Sequence, residues 1–376
     1  MPDPATDKPV PARKLLAADV AGVLEKSYDV GAWLSWSHEP RGHANASFVI
    51  DAATGKYVLR RSEPRKRIEG LRFEVELIDF LRQRGYPAPE IVTARSGDKF
   101  VNHLGKLYLL TRLIPGGPYD PGNPGHLIEA GRGLGRYHRL VKNFPGPFFH
   151  RLAPMMSHLG PEGAASFPVI EDFGRRLLPP GEQARLTHML SDARRRSQSL
   201  HLQLADIHPR LPLLVIQASY GQSALIFDRD TLAGVVDYDR ATMEVRGLDL
   251  AYSMETFCHH HDKSGAEPRV VFDFDLCRRF FAAYREVEPV PEEELQAFPL
   301  MFQARHIIKI VNNINMFIDK DAVMPRDEAK LRKHVLLVLE GETAWLKWWA
   351  GHDRELIAAL HGDKEAGEGE KGPSRE

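Results

Sequence analysis

LLVIQASYGQSALIFDRDTLAGVVDYDRATMEVRGLDLAY, residues 213–252, is the stretch on which the fold assignment turns. Its apolar runs Leu213–Ile216, Ala224–Asp228 and Leu232–Asp237 are separated by polar turns and predict short strands. A helix resumes at Leu248. Asp237 ends an apolar strand, where a carboxylate is costly to bury unless it binds metal or accepts hydrogen bonds. Asp239 lies two residues on, so it points to the same side if the strand persists. The alternative is that both aspartates belong to a β-turn, which Asp favours.

Upstream, residues 46–61 alternate Phe48 and Ile50, then Tyr57 and Leu59, about a turn at Thr54-Gly55. That pattern predicts a hairpin. Phe73, Leu77, Ile78 and Leu81 fall at helical spacing, and Gly85 stops the helix before Pro87. Strand-like runs follow at Glu90–Thr93, Lys99–Val101 and Lys106–Arg112. The segment Ile114–Gly125 is rich in Pro and Gly and predicts a link. Beyond it the periodicity is mostly helical. Asn123-Pro124 opens a helix carrying Leu127, Ala130, Leu134 and Tyr137 on one face. Pro180 opens another toward Leu204, and further helices are expected over Phe274–Arg285, Glu292–Ile318 and Asp327–Trp349. The class is α+β: a small antiparallel sheet lobe, then a mainly helical lobe with one embedded hairpin.

Of the 376 residues, 43% are hydrophobic and 27% charged, the profile of an ordinary globular protein. Lys plus Arg number 50 against 51 for Asp plus Glu, which leaves no electrostatic footprint for nucleic acid or an acidic membrane. No apolar run reaches the roughly 18 residues that span a bilayer. The only cysteines, Cys258 and Cys277, cannot build a disulfide framework or a four-cysteine zinc site. A cytoplasmic location is therefore expected. The expected organisation is a disordered lead (1–14), a sheet lobe (15–113), a hinge (114–125), a helical lobe (126–360) and a disordered tail (361–376).

Val235-Val236-Asp237-Tyr238-Asp239, followed by Leu248-Asp249-Leu250-Ala251-Tyr252, resembles the catalytic region of the aminoglycoside phosphotransferase and homoserine kinase superfamily. The resemblance extends to Gly42-His43-Ala44-Asn45-Ala46-Ser47-Phe48, Tyr57-Val58-Leu59-Arg60, Glu74 with Leu77-Ile78, Gly85-Tyr86-Pro87-Ala88-Pro89 and Gly135-Arg136-Tyr137-His138. It implies a two-lobed, protein-kinase-like fold. It also implies ATP and Mg²⁺ as cofactors. Gly42, Asn45 and Ser47 fall in the phosphate-loop region. Arg60 would be the phosphate-binding cation and Glu74 its acidic partner. Asp237 would hold metal, with Asp239 beside it as a second candidate ligand. Without the resemblance, Arg60 reads as a surface cation at the end of an edge strand. Asp249 reads as a helix cap that anchors the loop.

The sequence departs from that family in one loop. The family's His-Gly-Asp falls on Gln217-Ala218-Ser219, and its metal-binding Asn falls on Ala224. Serine is uncharged at pH 7, and losing a positioned base costs on the order of 10²–10⁴ in rate. Ala224 offers no side-chain oxygen to a second metal. The expectation is a catalytically degenerate pseudokinase that binds a nucleotide, small molecule or protein partner, with no certain catalytic residue. The alternative is a divergent ATP-dependent kinase acting on a small-molecule hydroxyl, or different nucleotide chemistry in the same cleft.

Several other features carry less. His361-Gly362-Asp363 repeats the His-Gly-Asp string, but without a preceding apolar strand. Cys258-His259-His260-His261-Asp262 reads as a polar helix end rather than a metal site. His138 reads as a core histidine, and Trp345, Trp348 and Trp349 as packing. His306, Lys309, Asn312, Asn313 and Asn315 share one helix and face either a polar ligand or solvent.

Overall fold

A computed structural model of the chain describes residues 16–39, 45–63, 66–149, 153–262, 269–323 and 328–362. The first lobe holds α1 (Ala18–Ser27), β1 (Trp33–Glu39), β2 (Ala46–Ala52), β3 (Gly55–Arg61), α2 (Ile68–Gln83), β4 (Val101–His103) and β5 (Lys106–Arg112). Its five strands pair antiparallel in the order β1-β2-β3-β5-β4. The predicted hairpin is β2–β3. Its register sets Phe48 opposite Leu59 and Ile50 opposite Tyr57, so the alternating apolar residues share one buried face. Glu90–Thr93 is not a strand; Ile91 makes only an isolated bridge to Thr111. The edge strand β1 was not anticipated. Its mostly exposed pattern lacks the alternation that marks a half-buried strand.

The helical lobe begins with the two-residue strand β6 (Gly117–Pro118) and then α3 (Pro124–Val141). Asn123 caps α3 by accepting from the Gly125 amide, and Pro124 occupies the first turn. Four helices follow: α4 (Met155–Leu159), α5 (Pro161–Ala164), α6 (Ser166–Leu177) and α7 (Pro180–Ala205). Next come β7 (Leu213–Ile216), β8 (Leu225–Asp228), β9 (Thr231–Val235) and β10 (Thr242–Val245). The chain continues with α8 (Arg246–Phe257), β11 (His259–Asp262), β12 (Arg269–Phe272), α9 (Phe274–Val287), α10 (Glu292–Val323), α11 (Glu328–Trp349) and α12 (Asp353–His361). The three histidines therefore follow the helix end and lie in a strand paired with β12. Among the described residues there is no group of three or more possible metal ligands.

Helix α2 couples the lobes. Leu71 and Val75 pack with Leu107 and Leu109 beneath the sheet. Phe73, Leu77, Ile78 and Leu81 belong to the large core of the helical lobe. The other lobe-building contact is α3 on α9. Gly135 is required there, because an added Cβ would lie 2.9 Å from the Tyr284 carbonyl oxygen. Trp349 is buried against Phe272 and Phe302 and stacks on the buried Trp345, as expected for packing residues. His361 closes α12 with Gly362 in the left-handed conformation behind it, and Asp363 lies outside the described residues. Among the described residues no helix is long and apolar enough to cross a membrane.

Candidate active site

The strands of residues 213–245 form a frame around one loop. β7 pairs antiparallel with β10, and β8 pairs with β9. Between β7 and β8 runs the loop 217–224, and β9 leads directly to Asp237. Asp237 takes a left-handed conformation (φ 63°, ψ 55°), which turns the chain sharply out of the strand into the 3₁₀ turn Tyr238–Arg240. Few non-glycine residues adopt that geometry, so surrounding bonds must hold it.

Gln217 supplies two of those bonds. Its buried amide donates from Nε2 to the carbonyl oxygens of Val236 and Asp237, each at 2.9 Å. Its Oε1 accepts from the Ser219 amide at 2.8 Å. The side chain standing where the family has histidine thus braces the aspartate's backbone. Asp249 anchors the loop from the other side. It lies within the first turn of α8 rather than at its cap. One carboxylate oxygen accepts from the Ala218 amide at 2.9 Å, and the other from the Gln217 amide at 2.9 Å. The second oxygen also meets His138 Nε2 at 3.2 Å, while His138 Nδ1 meets the Tyr284 hydroxyl at 2.8 Å. His138 is fully buried, a core histidine as expected.

The departures from the family now have places. The Ser219 hydroxyl donates to the Asp237 carbonyl at 2.8 Å, so its proton braces the backbone. Ala224 is buried, with its carbonyl accepting from the Val236 amide at 2.9 Å. Ala218 is held at φ 58° where the family has glycine. A Cβ there costs about 1 kcal/mol.

Across the cleft, the register of β2 and β3 sets Ser47 directly opposite Arg60. Arg60 Nη2 reaches Glu74 Oε1 on α2 at 2.5 Å, so the predicted cation and its acidic partner do meet. Burial alone would lower the Arg60 pKa, but Glu74, Asp239 and Asp237 hold it above its usual value. Asn45 spans the lobes. Its Nδ2 donates to Asp239 Oδ2 at 3.1 Å, and its Oδ1 accepts from the Glu63 amide at 3.0 Å. Gly42 lies outside the described residues.

One site residue escaped the sequence reading. Lys66, between β3 and α2, places Nζ 3.0 Å from Glu74 Oε2 and 3.4 Å from the Asp239 carbonyl. Its side chain is only 7% exposed. The signal was a basic run, Arg60-Arg61 followed by Arg65-Lys66-Arg67, which does not say which member turns inward.

Asp237 is exposed, close enough to Arg60 and Asp239 for their charges to act on it. It makes no side-chain hydrogen bond or ion pair among the described residues. The protein around it pushes its carboxyl above the ordinary range; Asp239 and Glu74 add to the rise, and Arg60 and Arg240 oppose it. An accessible carboxylate without a partner fits one hard divalent cation, which takes one or two carboxylates and completes its shell with water and phosphate oxygens. Asp237 would be the ligand, with Asp239 beside it. Ser219 and Ala224 add nothing to a second metal site.

His306, Lys309, Asn312 and Asn315 of α10 meet residues of neighbouring helices. His306 is fully buried, with Nε2 at 2.8 Å from Glu255 and Nδ1 at 2.6 Å from Glu342. Arg305 pairs with Glu255 and Lys309 with Glu342. Asn312 reaches His158, and Asn315 reaches Ser166. These side chains link helices, and they are not a row facing solvent.

The sequence model of the phosphotransferase enzyme family matches residues 39–289. The chain belongs to that family. Among curated relatives, a homoserine kinase of Phenylobacterium zucineum is 27% identical over 285 residues, covering 75% of this chain and 80% of its own. A homoserine kinase of a Bradyrhizobium species is 26% identical over 330 residues, covering 85% and 94%. Among solved structures, a microcompartment-associated aminopropanol kinase superposes with a TM-score of 0.63 at 15% identity, over 90% of this chain and 98% of its own. Amicoumacin kinase, solved with AMP-PNP and Ca²⁺, gives a TM-score of 0.61 at 13% identity, over 88% and 94%. The kinase-like fold, with its antiparallel sheet lobe and mainly helical lobe, is thereby shown for this member of the phosphotransferase family.

Proposed function

We propose that this phosphotransferase-family protein is a pseudokinase. It holds a nucleotide between Arg60, Glu74 and Asp237 and acts by binding a small molecule or protein partner. The observation that carries the reading is the bond from the Ser219 hydroxyl to the Asp237 backbone. That hydroxyl's one proton is spent on the Asp237 carbonyl, where the family's aspartate would accept an acceptor's proton. Phosphoryl transfer depends on positioning and charge neutralisation, and here the positioning half is missing. When bound, Mg²⁺ would neutralise phosphate charge at Asp237. The protein's own part is to orient the phosphates with Arg60 and brace Asp237 through Gln217. Calorimetric titration with ATP and Mg²⁺ tests this. Saturable binding without ADP release supports it, and the absence of heat at millimolar nucleotide removes the nucleotide.

A second reading rests on the unpartnered Asp237 carboxylate, which is what a metal-dependent kinase keeps. In it the protein is a divergent ATP-dependent kinase of a small-molecule hydroxyl. Homoserine is the first acceptor to try, given the curated relatives. ADP release that needs the acceptor and disappears in Asp237→Ala would establish it. Turnover indifferent to that substitution would dismiss it.

A further inference from the structure

Glu74 serves two cations at once. Arg60 takes one carboxylate oxygen and Lys66 the other, and the carboxylate itself is buried. Two cations share one carboxylate, so the Arg60–Lys66–Glu74 cluster itself carries one positive charge more than negative, with Asp239 and Asp237 as the nearest further anions. Part of its donor capacity is also unspent. Arg60 Nε is buried and has no acceptor among the described residues. Lys66 carries three ammonium protons and uses them on Glu74 and the Asp239 carbonyl, which leaves one to give. Asp239 is already engaged, its carboxylate by Asn45 and its carbonyl by Lys66. On the facing loop, Ser219 and Ala224 stand where the family has Asp and Asn. The cleft is therefore one carboxylate less negative toward an incoming anion.

We propose that Lys66 is a second phosphate-binding cation, and that with Arg60 it lets the cleft hold a nucleotide's phosphates without a divalent metal. The inference rests on the nucleotide reading above and specifies the ionic form that is bound. The pair offers a guanidinium and a point charge side by side, which suits two adjacent phosphates of a polyphosphate chain better than a single cation would. Loss of the second metal site then costs little affinity, because protein cations stand in for metal charge.

The test is isothermal titration calorimetry on the full chain, with ATP and with inorganic tripolyphosphate, in EDTA and in Mg²⁺. Both ligands are expected to bind in EDTA, with ATP affinity within about tenfold of its value in Mg²⁺. Lys66→Met should weaken binding in EDTA by about tenfold or more for both ligands and weaken Mg²⁺-ATP binding less. Lys66→Gln keeps a hydrogen bond to Glu74 without the charge, so it should show the same split if Lys66→Met fails to fold. Lys66→Arg should restore binding in EDTA. ATP binding only when Mg²⁺ is present would overturn the inference and leave the nucleotide reading intact. An equal loss in both buffers would also overturn it, by reducing Lys66 to a structural partner of Glu74. No binding in either buffer would overturn both.

Discussion

The two walls of the cleft are held by different physics. The sheet-lobe wall is ionic: Arg60, Lys66 and Glu74 form a nearly buried cluster of charges. The facing loop is braced mostly by neutral donors, the Gln217 amide and the Ser219 hydroxyl, with Asp249 as its one anionic anchor. Charges hold geometry against solvent only where they are paired, and removing one partner is costly. Neutral hydrogen bonds keep the loop's shape with little charge to offer a reacting group. The wall that would grip phosphate is held by charge, whereas the loop facing it is held mostly by neutral bonds.

The largest test of that contrast is to give the loop its charge back. Ser219→Asp combined with Ala224→Asn should raise Mg²⁺-dependent ADP release with a hydroxyl acceptor such as homoserine by about 10²–10⁴. A coupled ADP assay reads this directly, and no gain would mean that the loop has lost more than two side chains. Next, Glu74→Leu should destabilise the fold by about 3–5 kcal/mol, because Arg60 and Lys66 would stay buried without their counter-charge. Urea unfolding measures it; a change below about 1 kcal/mol would show that water already screens the pair.

Asp237 predicts a smaller effect of opposite sign. Its folded pKa is raised, so the folded state binds the proton more tightly than the unfolded chain does. Stability contributed by this group is present below the ordinary carboxylate pKa and falls as pH rises through the folded value. Asp237→Asn should therefore stabilise the ligand-free protein at pH 7, with the gain vanishing under acid, while metal-dependent nucleotide binding is lost. Melting temperatures across pH check the sign. The smallest effect is at the loop's strained residue. Ala218→Gly should relieve the left-handed backbone and stabilise by about 1 kcal/mol, seen as a higher urea midpoint.

Much of this was legible in the residues. The spacing from Val235 to Asp239 and on to Asp249 placed the strand end and the loop anchor, because an apolar run ending in a carboxylate is a local pattern. Arg60 and Glu74 were legible by resemblance, and the register and α2 join them. Lys66 was not, since a lysine in a basic run points inward only when a carboxylate from another element meets it. Gln217 read as a loss, yet its amide bonds three backbone groups, a role visible only once Val236 and Asp237 lie beside it. The histidine run read as a helix end because β11 finds its pairing partner in β12, beyond the reach of local periodicity.

Helix α2 has a consequence for how the molecule comes apart. One flank belongs to the core under the sheet and the other to the core of the helical lobe. Neither lobe can shed that helix without exposing apolar surface of the other. Heating should give a single calorimetric transition rather than two, and amide protons of α2 should exchange only through global opening, among the slowest in the chain.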